Sequence, residues 1–223
     1  NERTKIVYLA NPTNPTGLTY SPDEITAILK RTSALVIVDE AYYEFWGKTS
    51  LPMIERYPNL VVTRSFSKAF ALAGLRCGYA VSDPRNIRVM EKIRNGKNVN
   101  TLAQVAAAAA LDDLPYFTRQ IQEMEQAKKR FVGRLRELGI FVVDTPANFV
   151  LIQIPSPDKV QEALEGQNIL VRNRSLLPQL EGTLRITIGS RTEMERILEA
   201  LSLMKREWIL ETAPLRVLTG VRG

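Results

Sequence analysis

The chain has no histidine, one cysteine and no apolar run approaching the length that spans a bilayer, ~20 residues. Without histidine, the usual general acid/base and most transition-metal ligands are missing. Proton transfer then falls to Lys, Asp, Glu or Tyr, and the composition argues against a zinc or iron enzyme. A single Cys77 rules out an internal disulfide framework and fits a reducing compartment, so the expected location is the cytoplasm. The first five residues lack the charged-then-apolar start of a secretory signal.

What is present is ordinary for a soluble globular protein: 45% apolar and 24% charged residues over 223 positions, enough for one large domain or two small ones. The net charge of +6 is scattered. Its densest run, Lys128-Lys129-Arg130, falls in a helical pattern and reads as a solvated face rather than a nucleic-acid patch. Neither a nucleic acid nor a membrane is expected as a partner.

Short apolar runs alternate with helical patterns in the first half. Strands are expected at residues 6–10, 34–39, 60–64 and 77–81. Ser21-Pro22-Asp23-Glu24 spells an N-cap, a proline at the first helical position and a capping-box glutamate for a helix reaching about Lys30. Further helices are expected near 86–93 and 102–112. Continuous apolar strands between helices indicate an α/β fold, with a mostly parallel sheet covered on both faces. From Tyr116 to Leu138 the apolar residues Phe117, Ile121, Met124, Phe131, Leu135 and Leu138 mark a long amphipathic helix. Strands near 141–143, 149–154, 170–172 and 184–188, with helices at 157–165 and 191–208, suggest a smaller α+β domain. The expected division is 1–115, 116–210 and a tail at 211–223, with a hinge near 112–115.

In open α/β sheets ligands bind beyond the carboxyl ends of the strands. Three successive strands here end in polar residues: the first leads to Asn14, the second ends in Asp39-Glu40-Ala41-Tyr42, and the third in Ser65-Phe66-Ser67-Lys68. Singly, each has an ordinary explanation, as a turn, a helix cap or an exposed lysine. Their recurrence at one end of adjacent strands points to a shared site. A lysine near Arg76 suits imine formation with an aldehyde. A strand-end aspartate suits a protonated pyridine nitrogen. Ser65, Ser67 and Arg76 are groups of the kind that bind phosphate. Together they describe a pyridoxal-phosphate site.

Four ordered motifs carry a family resemblance. They are Asn11-Pro-Thr-Asn-Pro-Thr-Gly17, Asp39-Glu-Ala-Tyr-Tyr-Glu-Phe45, the segment from Ser65-Phe-Ser-Lys68 through Arg76-Cys-Gly-Tyr79, and Leu184-Arg-Ile-Thr-Ile-Gly-Ser-Arg191. In these the chain resembles the fold-type I pyridoxal-phosphate aminotransferases, within them the histidinol-phosphate aminotransferase group. The resemblance implies that Lys68 carries pyridoxal 5′-phosphate, Asp39 pairs with its ring nitrogen, and Asn14 and Tyr42 bind its ring hydroxyl. Ser65, Ser67 and Arg76 would bind its phosphate. Arg185 would grip the anionic groups of the amino donor and the phosphorylated substrate by turns, with Arg172, Arg174 and Asn148 as further substrate-side candidates. A homodimer is implied, each subunit completing its neighbour's site.

Two departures shape the expectation. The family pattern begins well before Asn1, so the chain reads as lacking the N-terminal arm, a phosphate-binding turn and the aromatic that stacks on the cofactor. Asn95-Gly96-Lys97 precedes Asn98-Val-Asn100 where many members carry a Pro-aromatic pair, which makes a smaller phosphorylated amine or ketone a competitor to an imidazole-bearing substrate. The expected activity is transamination. The rivals are a phospho-amino-acid decarboxylase on the same fold, a non-catalytic sensor domain and an inactive fragment.

Overall fold

The computed structural model describes residues 3–210; the expected tail at 211–223 lies outside them. Two compact units emerge, one of Asn1–Asn14 and Leu18–Thr118, the other of Pro15–Gly17 and Arg119–Gly223.

The first unit is built on strands β1 (Ile6–Ala10), β2 (Leu35–Asp39), β3 (Leu60–Ser65) and β4 (Gly78–Ser82), hydrogen-bonded in that order. The first three are parallel and β4 runs antiparallel to β3. Between β1 and β2 lies helix α1 (Pro22–Arg31), capped as its sequence spells. Ser21 Oγ accepts from the Glu24 N–H at 3.2 Å, and Glu24 Oε2 accepts from the Ser21 N–H at 2.8 Å. Ile25 and Leu29 of α1 are buried in one cluster with Val36, Val38, Leu60 and Val62, each such side chain contributing about 1.5–3 kcal/mol. One-turn helix α2 (Tyr43–Trp46) follows β2.

One face of this sheet is packed along its length, while the other is covered only in part, as at buried Val61. Ile6 and Tyr8 on the other remain exposed, so a sheet covered on both faces is not what the described residues form. The strands are apolar on both sides, but α1 and its neighbours supply a partner for one side only.

Helices α3 (Pro84–Ile93) and α4 (Thr101–Asp112) complete the unit. Ala107 and Ala110 of α4 pack with Phe66 and Phe70, which flank Lys68 and anchor the turn that carries it. β4 can close against that turn because Gly78 lacks a side chain. A Cβ there would lie 2.7 Å from the Arg64 carbonyl oxygen.

Helix α5 (Leu114–Glu137) passes from the first unit into the second. There, β5 (Phe141–Asp144), β6 (Phe149–Gln153), α6 (Pro157–Glu165), β7 (Arg172–Asn173) and β8 (Thr183–Thr187) follow. Their sheet is antiparallel in the order β5-β6-β8-β7. β6 is buried along its whole length, within a core that includes Phe131, Leu135, Val160, Leu164, Ile197 and Leu201.

Two expectations fail here. The last helix is not continuous to Trp208: α7 (Arg191–Ser202) ends and α8 (Arg206–Ile209) starts afresh. The break lets Ile209 bury itself and the Trp208 carbonyl accept from the Ser156 N–H at 3.2 Å, so tertiary packing overrides helix propensity. Lys128 is not solvated either. It is 8% exposed, and its Nζ donates to the Thr145 carbonyl at 2.9 Å, with Asp144 Oδ1 3.7 Å away. The long side chain stretches along apolar surface to reach those oxygens.

Candidate active site

Parallel register brings the carboxyl ends of β1, β2 and β3 together. Ala10 is paired with Asp39, and Asp39 with Thr63. From this edge emerge Asn14, Asp39, Tyr42, Ser65, Ser67 and Lys68, all within the first unit.

Asp39 is held at both carboxylate oxygens. Oδ1 accepts from the Ala41 N–H at 3.1 Å, and Oδ2 accepts from the Tyr8 hydroxyl. Burial of the hydroxyl, its hydrogen bond to Asp39 and the carboxylate charge push the Tyr8 pKa up to about 12. Tyr8 sits two residues before Ala10, on the sheet face that Asp39 shares, so the pleat dictates the contact. Tyr42 is buried, and its hydroxyl accepts from Asn14 Nδ2 at 3.2 Å. Lys68 is exposed, with its Nζ 5.5 Å from the centre of the Tyr42 ring. Ser65 Oγ accepts from the Ser67 N–H at 3.0 Å, which closes the turn before Lys68. Arg76 adopts a left-handed backbone (φ 56°) and donates from Nη1 to the Ala73 carbonyl at 3.0 Å.

Beneath this edge lies a buried ion pair to which sequence reasoning assigned no role. Arg64 Nη2 and Glu40 Oε2 are 3.0 Å apart, with side chains 9% and 1% exposed. Burial works against the Arg64 charge, but hydrogen bonds and charge from Glu40 and Tyr79 outweigh it and hold the guanidinium pKa above its ordinary value. Burial also raises the pKa of nearby Glu44, although its backbone hydrogen bond and Arg64 oppose the shift.

The substrate-side candidates belong to the second unit. Arg172 on β7 is paired directly with Arg185 on β8, and the Arg185 guanidinium carbon lies 5.5 Å from the centre of the Phe149 ring. Nε of Arg174 and Oγ of Ser175 are buried with no hydrogen-bond partner among the described residues. The Asn148 carbonyl accepts from the Ile188 N–H at 2.9 Å, which fixes its backbone where β6 begins. The register thus joins Arg172 to Arg185 and sets Asn148 at the start of the neighbouring strand. Among the described residues no cluster of Asp, Glu or Cys is arranged to hold a metal ion, and no helix is long and apolar enough to cross a membrane.

Comparison with known proteins identifies the family and the fold. Residues 1–201 match the family of class I and II aminotransferases. A histidinol-phosphate aminotransferase of Citrifermentans bemidjiense is 42% identical over 199 residues, covering 88% of this chain and 57% of the relative. A dihydroxyacetone phosphate transaminase of Campylobacter jejuni is 42% identical over 206 residues, covering 90% and 55% respectively. The chain therefore spans little more than half the length of these relatives. Among solved structures, histidinol-phosphate aminotransferase from Sinorhizobium meliloti in complex with pyridoxal-5′-phosphate superposes with a TM-score of 0.78 at 30% identity, covering 88% of this chain and 56% of that one. The fold is that of the fold-type I transferases, as the resemblance in its four motifs implied. With one family matched over nearly the whole sequence and its fold reproduced, this chain belongs to the class I and II aminotransferases.

Proposed function

We propose that the protein is a pyridoxal 5′-phosphate-dependent aminotransferase, moving an amino group between an amino acid such as glutamate and a phosphorylated amine or ketone. The observation that carries this reading is the edge shared by Asn14, Asp39, Tyr42, Ser65 and Lys68 at the ends of three parallel strands.

The donor set suits the cofactor group by group. The exposed Lys68 amine matches its aldehyde, and the doubly anchored Asp39 carboxylate is an acceptor for a protonated ring nitrogen. The Asn14–Tyr42 pair matches the ring hydroxyl. Ser65, Ser67 and Arg76 offer hydroxyls and a guanidinium to the phosphate. When bound, pyridoxal phosphate supplies an electron-withdrawing ring conjugated to the substrate nitrogen. With that group in place, the Lys68 amine would take the proton from the substrate α-carbon and hold it, a role that needs no histidine. Asp39 keeps the ring proton in place throughout. Arg185 and Arg172 stand directly opposite one another across two strands, which sets two cations on one face. That pairing suits a carboxylate or phosphate on the substrate, with Asn148 and Arg174 beside it.

The substrate carries a phosphate, as histidinol phosphate does. Lys97, standing where many members have an aromatic, favours a smaller phosphorylated compound, in keeping with the relative that acts on dihydroxyacetone phosphate. The working form is a cytoplasmic homodimer.

The test follows the visible absorption band of the pyridoxal-phosphate-loaded, full-length protein during additions of glutamate, histidinol phosphate and a phosphorylated three-carbon amine. Loss of the band with glutamate and with one phosphorylated amine, without release of carbon dioxide, is the expected result. A band indifferent to every amine, or carbon dioxide as product, would refute the reading.

A further inference from the structure

We infer that the buried Glu40–Arg64 pair positions the cofactor by fixing the separation between Asp39 and Ser65. The inference rests on the function proposed above, in which those two residues hold opposite ends of pyridoxal phosphate.

Asp39 is paired with Thr63, so Glu40 stands level with Arg64, one residue further along both strands. Side chains alternate along a strand. Asp39, Thr63 and Ser65 therefore share one face, while Glu40 and Arg64 continue the opposite rows of Val36, Val38, Leu60 and Val62. The ion pair lies directly beneath the two residues that grip the cofactor, without touching it.

Its bonding is dense. Glu40 Oε2 accepts from Arg64 Nε at 3.1 Å, from Arg64 Nη2 at 3.0 Å and from Thr49 Oγ1 at 2.8 Å. Oε1 accepts from the Ser50 N–H at 2.5 Å, and Arg64 Nη2 also donates to Thr49 Oγ1 at 2.8 Å. The guanidinium carbon lies 3.3 Å from the centre of the Tyr43 ring. One cluster thus ties the ends of β2 and β3 to the 49–50 loop and to the start of α2, next to Tyr42.

A pair so dry is a poor means of gaining stability, because removing two charges from water offsets most of their attraction. An apolar pair of similar volume would hold the fold as well. What an apolar pair lacks is direction. The planar guanidinium and its carboxylate fix distance and angle together, and a binding site depends on such control of the residues that line it.

Two variants of the full-length protein test this, with thermal unfolding of the apoprotein and the dissociation constant for pyridoxal phosphate measured on each. Arg64→Lys keeps the charge and loses the two-pronged contact. The double variant Glu40→Leu/Arg64→Met removes the charges together. The expected result is a folded double variant at least as heat-stable as wild type, with pyridoxal phosphate bound about tenfold more weakly in both variants. A folded variant with wild-type affinity overturns the inference. Failure of both to fold does so too, since the pair would then be a requirement of the fold alone. A wild-type protein that takes up no pyridoxal phosphate overturns the proposed function first and this inference with it.

Discussion

At the scale of single residues, the chemistry depends on how side chains at one sheet edge are held. Asp39 is gripped by the Ala41 N–H on one oxygen and the Tyr8 hydroxyl on the other. The Tyr8 contact has a measurable signature. Its pKa rises from 10.0 to about 12, so folding favours its neutral form. The stability this confers is fully present below pH 10 and is lost as pH climbs through about 12. Tyr8→Phe should therefore lose less stability than wild type across that window in denaturant titrations, and one tyrosine fewer should ionise late in the ultraviolet titration. Identical alkaline profiles would show that the hydroxyl is not bound to Asp39. Asn14, Asp39, Tyr42 and Lys68 could be singled out in the sequence because they follow apolar strands. Glu40 and Arg64 could not, because 24 residues separate them and only the strand register shows that they pair. Lys128 misled for the opposite reason. A lysine among basic neighbours reads as solvated until the Thr145 carbonyl is found within its reach.

At the scale of elements, local signals and tertiary demands divide the outcome. Helix α1 begins where Ser21, Pro22 and Glu24 say it should, and α7 begins with the same device at Ser190 and Glu193. Both glutamates are held below their ordinary pKa by hydrogen bonds to the capping serines. Their contribution is present above pH 4.5, the ordinary value, and is lost as pH falls through the lower folded value. Ser21→Ala should destabilise the protein by about 1 kcal/mol at neutral pH, with the difference shrinking in acid as Glu24 takes up its proton. Equal stabilities at neutral pH, measured by denaturant unfolding, would contradict that role for the box. Boundaries set by packing are less legible. Nothing between Leu203 and Lys205 is a glycine or proline, so the break before α8 was invisible to helix-stop rules and arises from burial of Ile209. β7 shrinks to Arg172–Asn173 for a related reason: at residues 170–172 a short apolar pattern promises a strand, but only the end that meets β8 is paired.

At the scale of the molecule, the candidate residues divide between two units. The first holds the lysine, the aspartate and the phosphate-binding candidates; the second holds paired arginines suited to an anionic substrate. The α/β class could be read from alternating apolar strands and helices. The open face bearing Ile6 and Tyr8 could not, because an apolar strand records what it can bury and not what is there to cover it. The central claim is that Lys68 carries pyridoxal phosphate, and it can be tested at the bond itself. The full-length protein is loaded with pyridoxal phosphate, treated with borohydride to turn any imine into a stable secondary amine, digested, and mapped by mass spectrometry. The account predicts the phosphopyridoxyl label on Lys68 and its loss in Lys68→Ala. A label on other lysines only, or no label after loading, would contradict it.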